Sequence, residues 1–88
     1  MDKIIKVSKK VHPIHHNERK PFPLVIGETY YVCFGENKVR PCRLVGFLHE
    51  GKFICIEYNT RWHTHRHQLY PDEIGRTPEE AVINQVTF

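Results

Sequence analysis

The stretch VRPCRLVGFLHEGKFICIEYN, Val39 to Asn59, decides how this 88-residue chain folds. Two apolar runs flank Glu50-Gly51, and a two-residue loop containing glycine between such runs predicts a β-hairpin. With His49 opposite Lys52, Phe47 faces Ile54, Val45 faces Ile56 and Arg43 faces Tyr58. The alternate pairs are Leu48 with Phe53, Gly46 with Cys55 and Leu44 with Glu57. The centre of the hairpin is then apolar on both faces, whereas a half-exposed flat sheet alternates more cleanly. A strongly curved strand pair that feeds two sides of a small barrel fits this pattern, and Gly46 is the natural place for the bend.

Working outward, LVIGETYYVCFG (Leu24 to Gly35) holds a β-rich run from Thr29 to Phe34, and GENK follows it as a turn. Downstream, TRWHTHRHQL (Thr60 to Leu69) predicts a further strand. Pro71 and Asp72 stop that strand in a short 3₁₀ turn. Thr77 is a helix N-cap, Pro78 takes the first helical position and Glu80 completes a capping box. Ala81, Val82 and Val86 give the resulting helix, near residues 78–85, an apolar stripe. Two turns are too short to persist alone, so the helix must dock on the sheet. Val86 to Phe88 has an extended strand as its alternative.

Residues 1–23 precede this compact domain, which spans 24–88. Lys3 to Val11 alternates loosely and suits an edge strand whose lysines discourage edge-to-edge pairing. HPIHHNERKPFP, His12 to Pro23, has three prolines and no periodicity, and is expected to form a loop. Charge separates along the same line. Residues 1–23 carry six basic and two acidic residues, a net of +4; residues 24–88 carry seven basic and eight acidic, a net of −1. The formal +3 of the whole chain therefore resides in a basic N-terminal arm that includes Lys6, Lys9 and Lys10. Its plain reading is a solvated, solubilising segment.

Charged residues at 26% and hydrophobic residues at 40% describe a folded soluble domain, not a disordered chain. No apolar run approaches the roughly 20 residues of a membrane helix, and none has the length of a signal peptide. A cytoplasmic protein is expected. Cys33, Cys42 and Cys55 are odd in number, sit in apolar runs and form no CxxC pair, so buried reduced thiols are expected. An intermolecular disulfide or a thiolate metal ligand is the alternative.

The chemistry concentrates in RWHTHRHQLY, Arg61 to Tyr70. On a strand His63, His65 and His67 form one row, about 6.5–7 Å apart. A metal reading takes His63 and His65 as its ligands and needs a further donor from His12, His15, His16 or Cys33. A flat row converges poorly on tetrahedral zinc, and no carboxylate stands beside it to orient the rings, so no metal or cofactor is expected. Without a ligand the row is a solvent-facing polar one, with Trp62, Thr64 and Arg66 on the other face. Trp62 either packs in the core, the commoner outcome because tryptophan is highly buried on average, or stands as an exposed platform.

A nucleic-acid reading uses the same residues otherwise. Arg61 and Arg66 pair with phosphates, and Tyr58, Trp62 and Tyr70 offer stacking faces worth about 1–3 kcal/mol per base when exposed. His63, His65 and His67 donate hydrogen bonds and become cationic in mild acid. Arg40, Arg43 and the arm extend the electrostatic track. Glu57 and the acidic DEIGRTPEE segment oppose it. A protein partner on HPIHHNERKPFP or on a strand edge is the second reading. Catalysis is not expected. There is no GxSxG, P-loop, GxGxxG or HExxH, the thiols lie in apolar runs, and the carboxylate pairs Asp72-Glu73 and Glu79-Glu80 sit in turn and helix-cap contexts.

From Leu24 to Glu80 the chain resembles an SH3-like small β-barrel of the Tudor/KOW kind. YYVCFG, the long hairpin RPCRLVGFLHEGKFICIEYN, a strand ending in LYPDEIG and the short helix carry the likeness. EIGRTPEEA is similar to the closing phrase of small barrel proteins of bacteria and mobile elements. The resemblance implies a mainly β barrel of about five strands and a binding role. It brings no KOW glycine signature and no Tudor aromatic cage, and fold alone names no ligand.

Overall fold

The computed structural model describes residues 4–8, 12, 14, 15, 18, 19 and 22–86. The chain is mainly β and forms one open antiparallel sheet with a short C-terminal helix. Its strands are β1 (Ile5–Lys6), β2 (Thr29–Cys33), β3 (Lys38–Leu48), β4 (Phe53–Asn59), β5 (Thr64–Leu69) and β6 (Ile74–Gly75). A 3₁₀ turn, Pro71–Glu73, precedes β6, and helix α1 is Pro78–Ile83. The strand order is β5-β4-β3-β2-β6, with β1 added against β3.

The hairpins follow from local chemistry. Glu36 and Asn37 both take positive φ between β2 and β3, and the Lys38 amide donates to the Gly35 carbonyl at 3.1 Å. That is the turn geometry whose twist suits a hairpin. Between β3 and β4 the expected two-residue loop is wider. His49, Glu50 and Gly51 all adopt positive φ, and the strands end at Leu48 and Phe53.

Near this turn the expected pairs hold: Leu48 with Phe53, Phe47 with Ile54, and Gly46 with Cys55. Beyond it the register shifts between Leu44 and Gly46. Val45 is the extra residue of a bulge, so Leu44 lies opposite Ile56, not Glu57, and Arg43 opposite Glu57, not Tyr58. A one-residue slip exchanges the two faces of a strand. The bulge thereby keeps Leu44 in the core, and it falls beside Gly46, where the bend was expected.

The sheet buries both faces, as the apolar hairpin centre implies, but in different places. Tyr30, Val32, Cys42, Leu44, Ile54, Ile56, Leu69, Ile74 and Val86 form the larger cluster. Both terminal strands of the sheet feed it, through Leu69 next to the 3₁₀ turn and Ile74 after it. Leu44, Ile54, Ile56 and Ile74 are wholly buried, each worth about 1.5–3 kcal/mol. On the opposite face Cys33 and Val39, paired across β2 and β3, pack with Val7, Ala81 and Val82. Here α1 lies over the sheet with Ala81 and Val82 inward, whereas Val86, the third residue of the expected stripe, follows the helix and joins the larger cluster.

Helix α1 begins as the sequence indicates, with the Glu80 amide donating to Thr77 Oγ1 at 3.1 Å. The reciprocal half of the box reaches one residue further back: the Glu80 carboxylate accepts from the Arg76 amide and ion-pairs with its guanidinium. The helix ends at Ile83, short of residue 85, because the buried Asn84 side chain turns away to donate to the Ile74 carbonyl at 3.0 Å. Gly75 lies so close to α1 that a Cβ would run into the backbone of Glu80 and Ala81. Beyond the helix the Val86 amide donates to the Cys33 carbonyl at 2.9 Å. Residues 87 and 88 of the expected terminal strand lie outside the described residues.

The N-terminal segment contributes one structural cation. Arg19, counted above with the charges of the arm, is 7% exposed. It donates to the carbonyls of Ile14 (3.1 Å), Gln85 (2.8 Å) and Asp72 (3.4 Å), while the Ile14 amide donates to Ile83. Among the described residues no helix is long and apolar enough to cross a membrane.

Candidate functional site

The β4–β5 hairpin presents the chemistry. Its last ladder pair is Asn59 with Thr64, where Thr64 Oγ1 donates to Asn59 Oδ1 at 2.7 Å. Thr60 then clamps the loop. Its amide and hydroxyl both donate to the His63 carbonyl, at 2.8 and 3.1 Å, and its Oγ1 accepts from the His63 amide at 3.2 Å. Arg61 and Trp62 are left at the tip. Trp62 is 76% exposed, so it takes the platform position and not the commoner core one. Its neighbours in sequence, Arg61 and His63, are polar, and Thr60 and His63 hold the loop by hydrogen bonds in which the indole has no part. The Arg61 guanidinium carbon sits 5.1 Å from the indole centroid.

Behind the tip runs a row of rings on the face of the larger core. His65 is paired with Tyr58 and His67 with Ile56, so both point to the side of the sheet that buries Ile54 and Ile56. The expected solvent-facing row is therefore half-buried at His65 and His67, while Thr64, Arg66 and Gln68 face the other way. His63 meets His65 edge-on at 6.1 Å. Tyr58 stacks on His65 at 5.1 Å and on His67 at 5.5 Å, and Phe34 reaches His67 at 4.8 Å. The Arg40 guanidinium carbon lies 5.3 Å from the Tyr58 centroid. The Tyr58 hydroxyl and His67 Nε2 share a hydrogen bond of 3.2 Å. Burial, and then the charge of His65, hold His67 below its ordinary pKa.

The row ends at a hollow of about 310 Å³ lined by Ile4, Phe34, Gly35, Glu36, Lys38 and Arg40. Lys38 Nζ pairs with Glu36 at 3.0 Å, and Lys6 is the ladder partner of Lys38. Lys6 and Arg40 thus lie at this end. Lys9 and Lys10 fall outside the described residues.

Arg43 and Arg66 are on the opposite face. There Glu57 stands between them, 3.8 Å from Arg43 and 3.0 Å from Arg66. The candidate residues thus divide into two groups. Arg40, Tyr58, His63, His65 and His67 form one continuous row that leads away from the Arg61-Trp62 tip, and Arg43 and Arg66 are tied to a carboxylate behind it. Tyr70 is in neither group. It stacks on Phe53 at 4.9 Å beside the β3–β4 turn.

Phe34, Glu36 and Lys38 were not singled out in the sequence. Phe34, just past the end of β2, meets His67 of β5 from far away in the sequence. The FGENK turn carried one usable signal, an aromatic residue and a cation bracketing a tight loop.

Among the described residues no group of three or more His, Cys, Asp or Glu side chains is placed to hold a metal ion. All three cysteines are free; Cys33 and Cys42 are buried and Cys55 half-buried. Burial pushes the Cys42 thiol up to about 12, against a smaller opposing hydrogen bond from the Tyr30 backbone. No protein-family model matches this chain, and no match was found among curated proteins or solved structures.

Proposed function

We propose that this chain is a non-enzymatic module that binds nucleic acid through the β4–β5 tip and the ring row behind it. The exposure of Trp62 carries the reading. An indole left 76% in water on a hydrogen-bonded loop keeps a ring face open to a stacking partner. A base is a fitting partner, since aromatic stacking contributes about 1–3 kcal/mol per base, and Arg61 places a cation where the neighbouring phosphate would run. Lys6, Lys38 and Arg40 add positive charge at the other end of the row. The curled sheet is read as an SH3-like barrel of the Tudor/KOW kind, supported by the meeting of Leu69 and Ile74 in one core. Three free thiols suit a reducing, cytoplasmic setting.

Trp62 reports on its own hypothesis, because it is the chain's single tryptophan. Mixed-sequence oligonucleotides titrated at low and moderate salt, with a chelator present, should quench its fluorescence, and salt should weaken the effect. Arg61→Ala should lower the salt slope by about one. An emission that no oligonucleotide changes would remove the assignment. A protein-interaction module is the second reading, favoured by the exposed Leu48 and Tyr70 on either side of Phe53. Co-purification of one protein, unaffected by nuclease and lost on Leu48→Ser, would support it.

A further inference from the structure

Resting on the nucleic-acid reading, we propose that the site takes a single strand of about three or four nucleotides and not a duplex. One base stacks on Trp62, the strand follows the ring row, and the last nucleotide enters the hollow between Ile4, Phe34, Lys38 and Arg40.

Trp62 can stack only on a base whose face is open, and a duplex hides those faces except at its ends. The row from His63 to His67 spans four strand residues, about 13 Å. The tip extends it at one end and Phe34 at the other. A stacked strand advances about 3.4 Å per nucleotide and an unstacked one further, so the row suits three or four nucleotides.

The hollow then accounts for the far end. Its 310 Å³ lies at the small end of the roughly 300–1,000 Å³ of small-molecule sites, which is room for one nucleotide. Its lining is mixed in the way a nucleotide is mixed. Phe34 and Ile4 offer apolar contact to a planar base. Arg40 and Lys38 set two cations against the one Glu36 carboxylate, which leaves the hollow a net positive charge for a phosphate. The Glu36 carboxylate, held by Lys38, can accept from a base amino group or a sugar hydroxyl. A bare anion would meet Glu36 unfavourably, and a purely apolar ligand would desolvate three charged groups.

The test is length. Oligothymidylates of one to eight nucleotides, and a twelve-base-pair duplex, would be titrated against Trp62 fluorescence in the full chain. Affinity should climb with each nucleotide to about four and then level, with the duplex roughly tenfold weaker. Lys38→Glu lies on the surface, where it leaves the core intact. It should weaken the four-nucleotide strand about tenfold and leave the dinucleotide unchanged. Ile4→Asp at the opposite wall should do the same. If affinity levels at two nucleotides, or both variants bind four nucleotides as the wild type does, the hollow has no part in binding. The wider reading would still stand on the quenching. Equal duplex affinity would overturn the single-strand preference. No binding by any oligonucleotide would overturn both readings.

Discussion

Glu57 and Tyr58 are neighbours on β4 and live under different physics. Glu57 points to the face where Arg43 and Arg66 flank it, in reach of water, and its two ion pairs are exposed on the arginine side. Such pairs contribute about 0–1 kcal/mol each. Tyr58 points to the face of the larger core and is enclosed by His65, His67, Phe34 and Arg40. The two faces of β4 thus meet the cations of the neighbouring strands in different ways. On the Glu57 face both arginines flank one carboxylate. On the Tyr58 face Lys38 is likewise paired with Glu36, while the Arg40 guanidinium lies against the Tyr58 ring and the row leads toward an exposed tryptophan.

The largest test of this contrast is stability. Tyr58→Ala removes a ring that touches three others and should cost about 2–4 kcal/mol in urea unfolding. Glu57→Ala should cost less than about 1 kcal/mol. Equal losses would mean that the two faces do not differ as described. The next test is binding. If nucleic acid follows the Tyr58 face, Arg61→Ala should weaken an oligonucleotide about tenfold, and Arg66→Ala should weaken it less than threefold. The reverse order would move the binding surface to the Glu57 face.

Much of the fold was legible before any coordinates. The apolar centre of VRPCRLVGFLHEGKFICIEYN, the turn at GENK and the Thr77-Pro78 helix start are local signals, and local signals survive folding. The bulge at Val45 was not legible, because alternation alone cannot say which of two adjacent apolar residues is left over. The slip mattered: it decides that Leu44 is core and that Arg43 meets Glu57. The burial of Arg19 depends on carbonyls at Ile14, Asp72 and Gln85, which are brought together only by the finished fold. The site divided the same way. The histidine spacing announced a row, but not which face of the sheet received it. The exposure of Trp62 ran against the average for its residue type, since its place at a hydrogen-bonded tip was set by Thr60 and His63 and not by its own hydrophobicity.

The smallest effect in this series is the response of the Tyr58 face to acid. His67 is held below its ordinary 6.5 by burial and by His65, whereas an unfolded chain would titrate it normally. As pH falls through 6.5 the unfolded state takes up a proton that the folded state refuses. The unfolded state then binds more protons, so stability falls with pH. This contribution is complete above 6.5 and is lost between 6.5 and the lower folded value. His67→Gln removes the titration and keeps a polar group near the Tyr58 hydroxyl. The stability difference between wild type and His67→Gln, followed by urea unfolding from pH 8 to 5, should therefore shift in favour of the variant as the solution becomes acidic. A difference that stays constant across that range would show that His67 titrates alike in both states and that the ring row does not exclude its proton.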